Sequence, residues 1–204
     1  MAQQSVMEKV KRSIMRRKLG APFASASLIQ LELGSRAAVD QCLSRLVEAG
    51  VIQRVSRGVY VRPNISKHTG RPVMPEPMLV AEAKAKARGE QIGISGAEAA
   101  RNLGLSTQMT TRPFFLTTAP TRKFKAGKTV VTVKHISPRR VKLGSDKISL
   151  ATIALAYLGR KHVTPETIRQ LEKSLTPREF KELSSYALRM PSWVREALES
   201  AQIA

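Results

Sequence analysis

The sequence predicts an α+β protein in which an N-terminal domain of helices and one hairpin precedes a mixed α/β domain with a helical C-terminal end. Three observations support this fold class. In residues 34–63, apolar residues first recur at helical spacing and then alternate along two short runs. Between residues 113 and 135, three strand-like runs follow one another, with helical patterns on both sides. Hydrophobic residues make up 42% of the chain, which is enough to form a core.

The charge of the chain limits its partners. Thirty-five Lys and Arg residues face only 15 Asp and Glu residues, which gives a formal net charge of +20. Such a surface attracts polyanions, namely nucleic acid, an anionic membrane or an acidic protein. A membrane is disfavoured because no apolar run approaches the ~20 residues that a spanning helix needs, and the N-terminal segment has no uninterrupted hydrophobic stretch. We therefore expect a cytoplasmic protein without a membrane partner.

The elements of the N-terminal domain follow from local patterns. The first predicted helix covers residues 5–18, and a shorter helix follows through residues 25–31. Ser35 has the side chain and position of an N-cap for a third helix, which Gly50 ends. Two alternating runs come next, and Gly58 is available for the turn between them. The order of helix, helix, turn, helix and hairpin predicts a winged helix-turn-helix domain over residues 1–63.

In such a domain the third helix enters a major groove of DNA and the hairpin reaches the adjoining backbone or minor groove. Serine and a helix N-terminus suit phosphate, arginine suits phosphate or guanine, and glutamine suits adenine. A small core with a solvated polar face would use the same order of elements, but the placement of the charges favours DNA. The predicted DNA-binding residues are Ser35, Arg36, Gln41, Ser44, Arg45, Arg54 and Arg57.

Residues 64–76 are rich in Pro, Gly and basic residues, which predicts a linker. A C-terminal domain over residues 77–204 then begins with a helix at Pro77. Ser95 has the position of an N-cap, with Glu98 three residues later as in a capping box. A mixed sheet with helices beside it is the simplest arrangement of the remaining elements. Strands are predicted over residues 113–118, 121–125 and 129–135, and helices over residues 148–158, from Thr164, from Thr176 and from Pro191.

No combination of residues predicts catalysis, a cofactor or a metal site. His68, His135 and His162 lie in separate segments without a second ligand at helical or strand spacing. The single cysteine, Cys42, falls on the apolar side of a predicted helix and is interpreted as a packing residue. Neither a Walker loop nor a dinucleotide-binding glycine pattern occurs, and residues 99–145 contain no carboxylate. We therefore expect a binding protein and not an enzyme.

The same acid-free stretch predicts a second basic surface. A solvated basic face is the simple alternative, but like charges gathered on one small sheet repel each other unless a polyanion neutralises them. Either DNA or an acidic protein would serve. The residues of this predicted surface are Arg112, Arg122, Lys123, Lys125, Lys128, Lys134, Arg139 and Arg140.

Two stretches resemble a known family. The stretches are "LGSRAAVDQCLSRLVEAGVIQRVSRGVYVRP" and "SGAEAARNLGLSTQMTTRPFFLTTAPTRKFKAG". Together they resemble bacterial type IV antitoxins of the abortive-infection AbiEi kind, and the resemblance spans about residues 5–145. It implies a winged helix-turn-helix that binds inverted repeats of double-stranded DNA in its own promoter. It also implies a C-terminal domain that counteracts a cognate nucleotidyltransferase toxin.

Two hypotheses follow from the sequence. In the first, the protein is an antitoxin of a toxin-antitoxin system and represses its own promoter. In the second, it is a stand-alone transcriptional regulator of a mobile element or phage-defence locus, with no toxin and with its basic second domain used for further DNA contact. A nucleotidyltransferase-like reading frame overlapping the end of this gene would favour the first.

Overall fold

The computed structural model describes residues 5–108, 114–137, 141–144 and 146–203 of the chain. The fold is mixed α+β, as the sequence predicts, with helices and several small sheets. Within these described ranges, no helix is long and apolar enough to cross a membrane.

The chain divides into two compact units. The first unit comprises Met1–Glu90 and Phe124–Val131, and the second comprises Gln91–Lys123 and Thr132–Ala204. The first unit therefore includes a short segment that is distant from the rest of it in sequence. We call Phe124–Val131 the hairpin tip, because it contains the turn between two consecutive strands, Arg122–Ala126 and Thr129–His135.

The first unit contains short strands and four helices among its described residues. Its helices are α1 (Val6–Met15), α2 (Ser25–Ile29), α3 (Arg36–Glu48) and α4 (Pro77–Lys86). Its strands are β1 (Phe23–Ala24), β2 (Gln53–Ser56), β3 (Val59–Val61), β4 (Asn64–Ile65) and β5 (Pro72–Val73).

The predicted hairpin after Gly50 is present as β2 and β3. These strands pair antiparallel, and β1 joins the other edge of β3 to give the order β1-β3-β2. Gly58 has a φ of +71°, a left-handed conformation that glycine adopts at little cost, so the turn follows from its sequence. The register shifts between Arg54 and Ser56. Strand β1 was not predicted, because two residues are too short to show an alternating pattern.

The core of the first unit lies among α1, α2 and α3. Close packing of α1 against the start of α3 depends on Gly34, where a Cβ atom would lie 2.7 Å from a methyl group of Val6. Cys42 is buried in this core, which confirms its interpretation as a packing residue. The buried members of the core are Val10, Ile14, Phe23, Leu28, Val39, Cys42, Leu43, Leu46 and Ile52.

The segment predicted as a linker forms a small ribbon. Strands β4 and β5 pair antiparallel, and the turn between them is closed by hydrogen bonds from Ser66 N to Arg71 O and from Gly70 N to Ser66 O, both 2.9 Å. Helix α4 then belongs to the first unit, whereas the sequence assigned residues from 77 onward to a second domain. The reason is burial, since α4 packs on β1 and β3 with Val80 and Ala81 inside.

The second unit contains a four-stranded sheet whose order is β6-β7-β9-β8. Its strands are β6 (Ile92–Ile94), β7 (Phe114–Thr117), β8 (Arg122–Ala126) and β9 (Thr129–His135), and β8 and β9 continue into the hairpin tip. Strand β7 runs antiparallel to β6 and parallel to β9. The three predicted strands are present, although Pro113, the predicted first residue of one of them, lies outside the described residues. Strand β6 was missed because it is short and has Gly93 at its centre.

Five helices of the described chain complete the second unit. They are α5 (Gly96–Asn102), α6 (Lys147–His162), α7 (Pro165–Ser174), α8 (Pro177–Ala187) and α9 (Ser192–Ile203). The predicted starts are confirmed, since Ser95, Thr164 and Thr176 cap α5, α7 and α8. The capping box is complete at Thr164 and Thr176, whereas at Ser95 only the hydroxyl takes part, accepting from Glu98 N at 3.3 Å. Helix α6 is buried along most of its first half, as its apolar sequence predicts. The core of this unit therefore lies among the helices.

Candidate nucleic-acid interface

Helix α3 presents one buried and one exposed side. Val39, Cys42, Leu43 and Leu46 are buried on one side of the helix, at helical spacing, and the opposite side therefore faces solvent. At the start of the helix the Ser35 hydroxyl accepts a hydrogen bond from Ala38 N at 3.3 Å, which confirms the predicted N-cap. The structure places every residue that the sequence proposed on this helix at the surface. These residues are Ser35, Arg36, Gln41, Ser44 and Arg45.

Asp40 modifies the charge of this exposed face. Its carboxylate lies 3.9 Å from Nε of Arg36, and the two side chains are 52% and 84% exposed. An exposed pair at this spacing contributes only about 0.3–0.5 kcal/mol, so a phosphate can replace the carboxylate at little cost. The ion pair therefore orients the Arg36 side chain but leaves its guanidinium available to a ligand.

The turn of the β2–β3 hairpin is held at its backbone. The carbonyl of Arg57 accepts a hydrogen bond from Nζ of Lys84 at 2.9 Å, and the carbonyl of Gly58 accepts one from Ser25 N at 2.9 Å. The side chains of Arg54 and Arg57 remain exposed. These contacts leave the two guanidinium groups on a fixed support and available to a ligand.

The hairpin tip is hydrogen-bonded to β2, an edge strand of its sheet. The Ser56 hydroxyl donates to the carbonyl of Lys125 at 2.6 Å, and Gly127 N donates to the carbonyl of Val55 at 2.8 Å. Lys125 and Lys128 are exposed. Two members of the predicted second basic surface therefore lie beside the predicted DNA-binding hairpin.

Lys84 also contacts the hairpin tip. Its ammonium lies 5.1 Å from the centre of the Phe124 ring while Nζ donates to Arg57 O. Lys84 and Ser56 are not among the residues predicted from the sequence. No local pattern could have identified them, because their partners lie 27 and 69 residues away.

The predicted second basic surface does not belong to one unit. Lys125 and Lys128 belong to the first unit, whereas Arg122, Lys123 and Lys134 belong to the second. The ammonium of Lys134 lies 4.5 Å from the centre of the Phe114 ring within the second unit. The other three members lie outside the described residues: Arg112, Arg139 and Arg140.

Two arginines near the interface support the fold. Arg62 donates through Nη1 to the carbonyls of Met15 and Arg17, at 2.8 and 2.7 Å, and so satisfies the C-terminal end of α1. The guanidinium of Arg17 lies 4.7 Å from the Phe23 ring and donates to the Ser27 hydroxyl. Burial lowers the pKa of Arg17. The guanidinium groups of both arginines therefore make contacts within the protein.

Helix α1 lines an additional basic groove of about 510 Å³ in the first unit. Four cations and two leucines form most of its wall. The lining residues are Lys9, Arg12, Ser13, Arg16, Arg17, Leu31 and Leu33. The part of the chain that the structure describes holds no group of three His, Cys, Asp or Glu side chains that could bind a metal ion.

Comparison with known proteins identifies the family of the chain. No curated protein matches the chain, and no solved structure matches it. A family model described as a family of unknown function, DUF6088, matches residues 9–183. The matched region includes α3, the β2–β3 hairpin and the hairpin tip. Because this match covers well over half of the 204 residues, the chain belongs to the DUF6088 family.

Proposed function

We propose that this protein is a DNA-binding antitoxin of a type IV toxin-antitoxin system that represses its own promoter and counteracts a nucleotidyltransferase-like toxin. In this proposal the first unit is a winged helix-turn-helix domain, with α3 as the recognition helix and the β2–β3 hairpin as the wing. The observation that carries the proposal is the exposed polar and basic face of α3, followed directly by a hairpin with a fixed, arginine-bearing turn.

The dimensions and chemistry of α3 support its role as the recognition helix. With 13 residues the helix is about 20 Å long, and the major groove is about 12 Å wide, enough to admit an α-helix. Arg36 and Gln41 lie in its N-terminal half, which usually meets base edges. Arg36 can donate two hydrogen bonds to guanine, and Gln41 can pair with adenine. Ser35 and the helix N-terminus suit a phosphate.

The hairpin supports a contact with the DNA backbone. Arg57 lies in the turn, and its carbonyl is held by Lys84, so the side chain projects from an anchored position. A preorganised cation loses less conformational entropy on binding than a cation on a mobile loop. In the proposed docking, Arg57 contacts a phosphate or the minor groove.

A mobility-shift assay tests the DNA-binding half of the proposal. The probe is a duplex from the region upstream of the protein's own gene, and the competitors are the same duplex and a scrambled duplex, both unlabelled. We expect the upstream competitor to displace the probe far more effectively, since specific sites bind about 10³–10⁷ times tighter than unrelated DNA. If the two competitors displaced the probe equally, binding would depend on charge alone and sequence-specific repression would be ruled out.

The antitoxin half rests on the resemblance of residues 95–127 to the AbiEi kind. A growth assay tests it directly. We expect this protein to restore growth of cells that express a nucleotidyltransferase-like protein from the neighbouring gene. Arg36→Ala with Gln41→Ala serves as a matched control, because loss of operator binding should leave neutralisation of the toxin intact.

A stand-alone regulator remains the second candidate. One observation favours it, namely that Lys125 and Lys128 belong to the unit that carries the proposed DNA-binding surface. Binding to DNA alone explains basic residues beside the wing, without a toxin as a second partner. A gene that can be deleted without harm, with no nucleotidyltransferase-like reading frame beside it, would establish this candidate over the first.

A further inference from the structure

We infer that the hairpin tip is a second contact with the DNA backbone, in which Lys125 and Lys128 neutralise phosphates beside those bound by the β2–β3 hairpin. This inference rests on the proposed DNA-binding function and extends it to a segment that is remote in sequence. The DNA-binding surface is then completed by residues 124–131 and is not confined to the N-terminal 63 residues.

Hydrogen bonds place the hairpin tip beside the wing. Lys125 O accepts from the hydroxyl of Ser56, the residue that directly precedes Arg57, and Gly127 N donates to Val55 O, the carbonyl directly after Arg54. The two bonds, one from a side chain and one from a backbone amide, therefore hold the tip against Val55 and Ser56, next to Arg57.

These contacts leave the lysine side chains available. The tip is bonded through a carbonyl and a backbone amide, so neither lysine ammonium is needed to hold it. Lys125 and Lys128 are both exposed. Ala126, between them, is buried, and a side chain at Gly127 would contact Met74, so the tip is packed on its inner side. The arrangement is that of an anchored loop that presents two cations to solvent.

The charge of the combined surface favours an anionic partner. Residues 53–62 and 124–131 contain no Asp or Glu. Within the described part of the chain, no carboxylate lies within 4 Å of the cationic groups of Arg54, Arg57, Lys125 or Lys128. Exposed cations on the two neighbouring hairpins, with no carboxylate beside them, repel one another in the free protein. A duplex presents one negative charge per about 1.7 Å of its axis, which is dense enough to neutralise all four at once.

Salt titrations of binding to a scrambled duplex test the inference, because phosphate contacts do not depend on sequence. The variant is Lys125→Gln with Lys128→Gln in the full chain. Each lost phosphate contact reduces the slope of log K against log salt by about 0.9, so we expect a reduction of about two units and about tenfold weaker binding. The matched control, Lys161→Gln with Lys173→Gln, removes two exposed charges from helices of the second unit and should leave the slope unchanged. Circular dichroism verifies that both variants are folded.

The outcomes separate this inference from the proposed function. If Arg57→Gln lowers the slope by about one unit while the tip variant leaves it unchanged, the interface exists and the tip is not part of it. If the control lowers the slope as much as the tip variant, the effect is one of net charge and the inference is overturned. If the unaltered protein does not bind the duplex, the proposed function itself fails.

Discussion

Basic residues lie in different environments in two regions of the molecule, namely the β2–β3 hairpin with the hairpin tip in the first unit, and the region around α6 and α8 in the second unit. In the second unit, cations lie beside carboxylates: Nζ of Lys142 is 3.1 Å from Glu182 and 3.4 Å from Asp146, and Lys147 is 3.9 Å from Glu179. In the first unit, the β2–β3 hairpin and the hairpin tip contain no acidic residue. A net charge of +20 therefore does not locate a binding surface by itself. The local absence of acidic residues is more informative.

Asp146 illustrates how the second unit uses its charges. Burial alone would raise the pKa of this carboxyl, but hydrogen bonds from the hydroxyl and backbone N of Ser149, at 2.6 and 3.0 Å, and the charge of Lys142 lower it. The pKa of Lys142 is raised by Glu182 and Asp146, although burial opposes the change. These charges serve the fold, which leads us to expect that substitutions in the two units affect different properties.

The largest expected effect concerns the buried side of α3. Leu43 is fully buried in the core of the first unit, so Leu43→Ala should lower the free energy of unfolding by about 2–5 kcal/mol. Gln41→Ala on the exposed side of the same helix should change it by less than about 0.5 kcal/mol. Denaturant unfolding followed by circular dichroism measures both. Similar losses in the two variants would mean that the exposed face of α3 is also structural.

The exposed side of α3 should control specificity. Gln41→Ala should weaken binding to the upstream duplex by about 1–3 kcal/mol and binding to a scrambled duplex much less, because an amide that pairs with adenine discriminates between bases. Binding isotherms on both duplexes measure the ratio of affinities. An unchanged ratio would show that Gln41 is only a solvated helix residue and that this docking of α3 is incorrect.

In the second unit, Asp146 should affect stability and not DNA binding. Its carboxylate caps α6, so Asp146→Ala should destabilise the protein by about 1 kcal/mol. Because the pKa of Asp146 is lowered on folding, its charge-dependent contribution is present above the ordinary pKa of the carboxyl and is lost as the pH falls through the lower, folded value. Unfolding curves between pH 2 and 7, at roughly unit steps, measure this dependence.

Asp146→Asn is the matched control for this prediction. Asparagine caps helices about as well as aspartate but does not titrate, so this variant should retain more stability than Asp146→Ala and lose the acid-dependent component. Weaker DNA binding by either folded variant would contradict the separation of roles between the units.

The smallest expected effect is that of a single phosphate contact. Arg57→Ala should reduce the slope of log K against log salt by about one unit on upstream and scrambled duplexes alike, with a loss of affinity of a few-fold. Lys67→Ala, in the turn between β4 and β5, removes the same charge elsewhere in the first unit and serves as the control. A loss confined to the upstream duplex would instead assign Arg57 to base recognition in the minor groove.

The domain boundaries show the limit of sequence patterns. The sequence suggests that a fragment ending near Arg71 would retain operator binding. The structure includes α4 and the hairpin tip in the first unit, and Lys84 of α4 holds the turn at Arg57. Such a fragment would lack both, so we expect weaker binding than that of the full chain. A ribbon of two-residue strands in a Pro- and Gly-containing segment has too little periodicity to be distinguished from a linker.

The helices, their caps and the exposed face of α3 could be predicted from local sequence patterns alone. Ser35, Thr164 and Thr176 cap their helices as predicted, because a cap depends on side chains within three residues of the backbone groups that they satisfy. The position of Lys125 beside Arg57, in contrast, depends on tertiary packing. The hydrogen bond responsible joins Ser56 to a carbonyl 69 residues away, and contacts at such separation arise from packing and leave no periodic signal in the sequence.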